Sequence, residues 1–218
     1  MLKILTTTLL ALTLGAGSTL AQAQEGSAAA GAKKNDQCIG CHGIPYYRSS
    51  FPEVYEVPMI AGQNAKYIVA ALNAYKKGDR KHPTMRGVAA TLSEQDMADL
   101  AAFYEQQGAQ GMIKTVAARE PSAAAAALLT KGGCASCHGA DFSTPIDPSY
   151  PRIAGQHADY LYAALKSYQT EGNPRVGRNN AIMAGMASPF THAELKTLAN
   201  YLGGAPGSLS TVPQSRFR

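Results

Sequence analysis

The stretch Cys38-Ile39-Gly40-Cys41-His42 decides the fold, and it returns as Cys134-Ala135-Ser136-Cys137-His138. Two cysteines three positions apart share one face of a helical turn, so both thiols can reach the vinyl groups on one edge of a porphyrin and form thioethers. The histidine that follows is carried under the ring, where an imidazole nitrogen can bind iron. The pattern C-x-x-C-H is therefore typical of covalent haem attachment.

The alternatives to haem use the same residues. A structural zinc site can draw its ligands from both motifs, and a pair of disulfides would also use all 4 cysteines. A thioredoxin-like redox site is disfavoured because no alternation of strands and helices surrounds either motif. We interpret two complete motifs, with no cysteine left over, as two haem sites.

Composition bounds the class of protein. The 218 residues include 21 glycines, 12 prolines and no tryptophan, which suits alanine-rich helices separated by loops. Each half is small for a protein core, and a buried haem would add apolar surface to it. The formal net charge of +5 suits an anionic protein partner or peripheral association with a membrane, and it is too small to indicate nucleic acid binding.

The start of the chain has the pattern of an export signal. Lys3 precedes an apolar run from Ile4 to Leu14, and small residues lead to Ala21-Gln22-Ala23. This order predicts a signal peptide over residues 1–23, cleaved after about Ala23. The run is short for a membrane span, so we expect an exported, periplasmic protein.

An internal repeat sets the architecture. The segment Pro58–Tyr67 reads PMIAGQNAKY, and Pro151–Tyr160 reads PRIAGQHADY. An alanine-rich helix follows in each half, with a second tyrosine eight residues after the first, and we expect it to end at Gly78 or Gly172. A loop with methionine and a last helix complete each half. The sequence predicts an all-α fold of two tandem domains related by duplication.

The last helices carry matching start signals. Ser93 precedes Asp96, and Thr191 precedes Glu194, at the spacing of a capping box. Apolar residues flank each cap as a hydrophobic staple, and helical periodicity follows.

These signals set the expected boundaries. After the signal peptide we predict a first domain over 24–111, a linker over 112–121, a second domain over 122–206 and a surface tail over 207–218.

A second axial ligand decides whether a haem iron transfers electrons or reacts with a bound molecule. In the first half, Met59 aligns with Arg152 of the repeat, Met97 suits the core beside a helix cap, and Met112 has no methionine counterpart. We therefore predict that Met85, in a loop before the capped helix, binds the first iron.

The second half offers Met183 and Met186. Met85 lies eight residues before Ser93, Met183 lies eight before Thr191, and Met186 lies five before it. The count favours Met183 as the ligand of the second iron and gives Met186 a packing role, although a longer loop in this half leaves the choice open.

His82 lies three residues before Met85 and is the rival ligand in that loop, while His157 and His192 have no histidine partner in the repeat. We interpret all three as surface or polar-network residues. Arg152 can pair with a haem propionate or form an exposed salt bridge.

A run of basic residues precedes Met85. We hypothesise that it forms a docking patch for an acidic partner, the alternative being a solvated loop. The patch consists of Lys76, Lys77, Arg80 and Lys81.

With both motifs, the paired I-A-G-Q segments and the loop methionines in place, the chain resembles the di-haem class I cytochromes c of the cytochrome c4 family. The resemblance covers essentially the whole mature chain. It implies two cytochrome c folds, each with one covalent haem c that has histidine and methionine as axial ligands. On that basis one haem has Cys38, Cys41, His42 and Met85, and the other has Cys134, Cys137, His138 and Met183.

The resemblance also implies a function. Such proteins carry single electrons in the periplasm, typically from a respiratory donor towards a terminal oxidase, and are not enzymes. The alternatives are a cytochrome subunit of a periplasmic dehydrogenase and a di-haem peroxidase. A peroxidase needs an iron that opens to peroxide, and the chain shows no second group of residues for acid–base chemistry. The sequence does not fix the oligomeric state.

Overall fold

The structure is a computed structural model that describes residues 25–108 and 120–213. The predicted signal peptide, most of the predicted linker and the last residues of the predicted tail lie outside the described residues. Two helical units with the same order of elements occupy the two described ranges. The prediction of an all-α fold with two tandem domains is confirmed.

The first unit consists of helices and one small antiparallel strand pair, which the sequence did not predict. Arg48 pairs with Glu56 and Ser49 with Tyr55 in that pair. The elements are α1 (Ala28–Lys34), α2 (Asp36–His42), β1 (Arg48–Ser49), β2 (Tyr55–Glu56), α3 (Ala65–Lys77), α4 (Pro83–Ala90) and α5 (Glu94–Gln107).

The second unit repeats this order without the strands. Helix α3 corresponds to α8, α4 to α9 and α5 to α10, so the sequence repeat is also a structural one. The elements are α6 (Ala123–Gly132), α7 (Ala135–His138), α8 (Ala158–Tyr168), α9 (Ala181–Ala187) and α10 (His192–Gly203).

Both predicted capping boxes form. The hydroxyl of Ser93 accepts from the Asp96 backbone N–H while the Asp96 carboxylate accepts from the Ser93 backbone, and Thr191 and Glu194 do the same. The staple residues at both caps are buried. These local bonds fix where α5 and α10 begin.

The helix ends agree with prediction in one half only. Gly78 ends α3 with a φ of 87°, a left-handed conformation that suits glycine. Helix α8 instead ends at Tyr168, before Gly172, so that prediction is wrong. The side chain of Gln169 donates to the carbonyls of Ala187 and Phe190, which ties the chain to the end of α9 and draws it out of the helix.

The segment after α10 is anchored to both domains. Leu209 is buried, and the Ser210 N–H donates to the Ala61 carbonyl of the first domain. The prediction of a tail lying over the surface is therefore wrong for these residues, because backbone pairing and an apolar side chain hold them in place.

Helix α1 crosses α5 in close contact. Asp99 of α5 is buried, and its carboxylate accepts from Lys34 Nζ at 2.7 Å and from the Ser27 N–H at 2.8 Å. The Lys34 ammonium and the Ser27 N–H lower the pKa of Asp99 below its usual value. A glycine at position 31 permits the approach, because a Cβ there would overlap the Asp99 carbonyl and lie 2.7 Å from Phe103 Cβ.

This close crossing predicts opposite effects for two glycine-to-alanine changes. Gly31→Ala should lower the free energy of unfolding by about 1–3 kcal/mol, because backbone must move to accept the methyl group. Gly87→Ala is the matched control, since a Cβ at this helical position meets nothing within 4 Å, and it should stabilise by up to about 1 kcal/mol. Urea unfolding of the holoprotein, followed by circular dichroism, measures both. Equal effects would contradict the packing argument.

Candidate haem sites

Each C-x-x-C-H motif lies on a helical turn, as predicted. Cys38 and Cys41 lie in α2, while Cys134 is the N-cap of α7 and Cys137 lies within it. No disulfide joins the four cysteines, all of which lie in the described ranges. Within residues 25–108 and 120–213, no three His, Cys, Asp or Glu side chains are grouped to hold a metal ion. The structure therefore supports neither the zinc nor the disulfide alternative.

The histidine of each motif is held by a backbone carbonyl. His42 Nδ1 lies 2.8 Å from the Pro58 oxygen, and His138 Nδ1 lies 2.9 Å from the Pro151 oxygen. A carbonyl can only accept, so Nδ1 carries the proton and Nε2 keeps its lone pair. Burial lowers the pKa of both histidines, which favours the neutral ring that a metal requires. Each imidazole therefore has the tautomer that an iron ligand would need.

The first cysteine of each motif is not an activated thiol. Burial raises the pKa of Cys38 to about 11, and burial also raises the pKa of Cys134. Catalytic cysteines have lowered pKa values, because the thiolate is the nucleophile. These thiols suit a permanent attachment rather than a redox cycle of their own.

The two predicted methionine ligands occupy equivalent positions. Met85 is the third residue of α4 and Met183 the third of α9, so the prediction that they lie in loops is wrong. Side chains of His82 and Asn180 cap these helices and accept from the N–H groups of Met85 at 3.4 Å and Met183 at 2.9 Å. Each cap thus fixes its methionine in a first helical turn.

The remaining methionines occupy other surroundings. Met59 and Met97 are buried core residues, whereas Met186 is 49% exposed, and Met112 lies outside the described residues. Met85 and Cys38 pack against the same hydrophobic core of the first domain. The structure places Met183, and not Met186, at the position equivalent to Met85.

A cluster of arginines and tyrosines lies between the domains. The Arg80 guanidinium lies over the rings of Tyr67 and Tyr75 and donates to the Tyr67 hydroxyl at 2.9 Å. Arg178 repeats this arrangement with Tyr160 and Tyr168, donating to the Tyr160 hydroxyl at 3.0 Å. We call these two arginines and four tyrosines the Arg–Tyr cluster.

Backbone pairing joins the two halves of the cluster. Arg80 and Arg178 form an antiparallel bridge, in which the Lys81 N–H donates to the Gly177 carbonyl and the Asn179 N–H to the Asp79 carbonyl. Neither arginine takes part in any ion pair found in the described ranges. Burial would raise the pKa of Tyr168, but the charges of Arg178 and Arg80 outweigh it and lower that pKa. The cluster is a concentration of positive charge next to a cleft between the domains.

Comparison with known proteins identifies the family. The family model Cytochrome c matches residues 122–205. Cytochrome c4 of Azotobacter vinelandii is 32% identical over 82% of this chain and 89% of its own length. The chain belongs to the cytochrome c4 family.

Two further similarities bear on structure and partners. A crystal structure of reduced cytochrome c4 from Pseudomonas stutzeri covers 83% of this chain and 99% of its own, with a TM-score of 0.62 and 27% identity. A thiosulfate dehydrogenase electron acceptor of Stutzerimonas stutzeri (strain A1501) is 28% identical over 75% of this chain and 76% of its own length. This family member is accordingly a di-haem electron-transfer cytochrome with covalently bound haem c, and not an enzyme.

The Arg–Tyr cluster fits a haem as well as the motifs do. Guanidinium groups that are partly removed from water are normally paired with anions, whereas the half-buried Arg80 and Arg178 donate to tyrosine hydroxyls. The two propionates of a haem are carboxylates, which guanidinium groups bind well. Sequence reasoning noted the tyrosine spacing but assigned Arg80 to the surface and missed Arg178. The sequence pattern that could have revealed the cluster is the arginine that follows each tyrosine pair.

The predicted docking patch therefore needs correction. Arg80 is half-buried between the domains, where it pairs with Arg178, and Lys81 Nζ donates to the Asn173 carbonyl of the second domain. Lys76 donates to the Leu92 carbonyl, and Lys77 is exposed. The four charges do not form one surface, because the chain turns inward at Arg80 to meet the other domain.

The predictions for the other polar residues have mixed outcomes. His82 caps α4, His157 Nδ1 lies 3.4 Å from a Glu56 carboxylate oxygen, and the exposed His192 ring contacts Tyr162, which agrees with a surface or polar-network role for each.

Arg152 does not form the exposed salt bridge considered for it. Its guanidinium donates to the Gly62 carbonyl at 2.8 Å and to the Ser208 hydroxyl at 3.3 Å. Arg152 therefore joins the second domain to the first and to the segment after α10.

The Arg–Tyr cluster predicts an effect on the haem reduction potentials. Arg178→Leu should lower the potential by the equivalent of about 1 kcal/mol, because loss of a half-buried positive charge favours the ferric state. Arg175→Leu removes an exposed arginine from the same loop and should leave the potentials unchanged. Spectroelectrochemical titration of both variants measures the difference. A null result for Arg178→Leu would show that this arginine does not interact with the haem charge.

Proposed function

We propose that this chain carries single electrons through two haems, each held between one histidine and one methionine. The pairs are His42 with Met85 and His138 with Met183. The observation that carries the proposal is the bond from each motif histidine to a backbone carbonyl, 2.8 Å in one domain and 2.9 Å in the other. The equivalent positions of the two methionines in α4 and α9 support the other half of each pair.

The protein residues account for the reaction type. When bound, each haem c supplies an iron that gains and loses one electron. The Pro58 and Pro151 carbonyls hold each imidazole in one tautomer and one orientation. Methionine sulfur is a soft, weak donor, which favours the reduced state and raises the potential relative to a second histidine. If His42 and Met85, and His138 and Met183, hold the two irons, no position would be left for oxygen or substrate.

We propose a periplasmic location, with electrons passing from a respiratory-chain donor towards a terminal oxidase. The signal-peptide pattern over residues 1–23 supports export. No helix in the described part of the chain is long and apolar enough to cross a membrane.

A second candidate is the electron acceptor of a periplasmic dehydrogenase. The similarity to the thiosulfate dehydrogenase electron acceptor favours it. Both functions use the same two haems and differ in the donor. Stopped-flow mixing of the oxidised protein with a purified thiosulfate dehydrogenase and thiosulfate separates them, since reduction within the turnover time of the enzyme supports the second candidate and its absence supports the first.

The axial methionines provide a direct test. Met183→Leu should remove one of the two sulfur-to-iron charge-transfer signals of the ferric protein and lower one of the two potentials, because leucine cannot bind iron. Met186→Leu is the matched control from the same helix and should change neither. Near-infrared spectroscopy and potentiometric titration measure these effects. The opposite pattern, with loss of signal in Met186→Leu alone, would assign the ligand to Met186.

A further inference from the structure

Each domain places one glutamine side chain against the backbone of the other. Gln63 and Gln156 are the last residues of the paired I-A-G-Q segments, and both are only 4% exposed. Gln156 Oε1 accepts from the Met59 N–H at 3.0 Å, and its Nε2 donates to the Met59 carbonyl at 2.9 Å. Gln63 forms the same two bonds with Arg152, both at 2.9 Å. We call these four bonds the glutamine clamps.

The position of the clamps is as informative as their symmetry. The carbonyl that accepts from His42 belongs to Pro58, and the next N–H along the chain belongs to Met59. These two groups are the opposite ends of one peptide unit. On its oxygen side that peptide binds the motif histidine of its own domain, and on its nitrogen side it binds Gln156 of the other domain. In the second domain, the Pro151–Arg152 peptide likewise lies between His138 and Gln63.

A peptide group transmits polarisation from one end to the other. Its C–N bond has partial double-bond character, so donation from the N–H increases the negative charge on the oxygen. Hydrogen bonds in such a chain strengthen one another, by about 10–30% per bond. A more negative oxygen draws the Nδ1 proton harder and makes the imidazole a more basic ligand.

Additional bonds hold the clamps rigidly. The Oε1 atoms of Gln63 and Gln156 also accept from the next backbone N–H in their own domains, at 3.0 Å from Asn64 and 3.1 Å from His157. Because both donors to each oxygen are N–H groups, the network fixes which end of each amide is oxygen.

We propose that Gln63 and Gln156 are positioning residues that act across the domain interface, each setting the orientation and basicity of the other domain's iron-binding histidine. The inference rests on the proposed histidine ligation. Its consequence is that the reduction potential of each haem depends on contact with the opposite domain. The clamps lower both potentials, since a more basic imidazole stabilises ferric iron.

The test is domain-selective. In the full-length holoprotein, Gln156→Leu removes the clamp on the Pro58–Met59 peptide. The potential of the haem attached to Cys38 and Cys41 should rise, and that of the haem on Gln156's own domain should stay unchanged. Gln63→Leu should give the mirror result. Two-dimensional NMR of the ferrous protein, labelled with ¹⁵N-histidine and assigned by residue, should show a weaker Nδ1–H hydrogen bond at His42 in the first variant and at His138 in the second.

A matched control separates this effect from loosening of the interface. Lys166 of the second domain donates to the Glu53 carboxylate of the first at 2.7 Å. This bond involves neither the Pro58–Met59 peptide nor the Pro151–Arg152 peptide. Lys166→Met should leave both Nδ1–H signals unchanged, because these signals report the histidine hydrogen bonds and not the lost charge. If Gln156→Leu does not load haem, Gln156→Glu retains an oxygen at the acceptor position, and its larger potential shift should again be at the haem of the opposite domain.

Several outcomes would overturn the proposal. They are a shift confined to the glutamine's own domain, equal shifts in both haems, and no shift in either. Failure of the proposed function is distinguishable, because wild-type protein would then lack histidine-ligated haem spectra before any variant is made.

Discussion

The bond from the motif histidine to a proline carbonyl is the constraint on which this molecule depends. It fixes the tautomer of His42 and His138, so that each ring presents a lone pair at Nε2. Two neighbouring elements bring the partners of this bond together. The helical turn with the cysteines carries the histidine, and the Pro-x-I-A-G-Q segment supplies the acceptor. A histidine without that acceptor would be free to change its tautomer or rotate.

The interface between the domains is built from polar contacts made by repeat-equivalent residues. The glutamine clamps join the segments that hold the histidines, while Arg80 and Arg178 meet farther along, before the helices with the methionines. Both haem surroundings are thus in part made by the other domain. Such an interface costs partial desolvation of two guanidinium groups, which carboxylates of a bound haem would offset. The same docking that brings two haems into one molecule also sets the charge around them.

The two halves differ in the length of the segment that leads to the helix with the methionine. The segment between α8 and α9 is longer than the one between α3 and α4, and α8 ends at Tyr168 without a terminal glycine. The methionine still reaches the third position of its helix, because the Asn180 side chain caps α9 as His82 caps α4. The two loops differ in length, but in both halves the capping residue lies three positions before the methionine. Counting back from Ser93 and Thr191 therefore aligns Met183 with Met85, whereas counting forward from the two C-x-x-C-H motifs would not.

The sequence by itself determined the features that depend on near neighbours along the chain: the two motifs, the duplication, the capping boxes, the helical class and the choice of Met183 over Met186 as the residue equivalent to Met85. A cap or a C-x-x-C-H turn depends only on residues a few positions apart, so it can be recognised in the sequence. Only the tertiary structure decided that Arg80 lies half-buried against the second domain and that Gln63 and Gln156 bind the opposite domain. Those contacts join residues 89 and 97 positions apart, and they exist only because two domains dock at one particular angle, which no local pattern encodes.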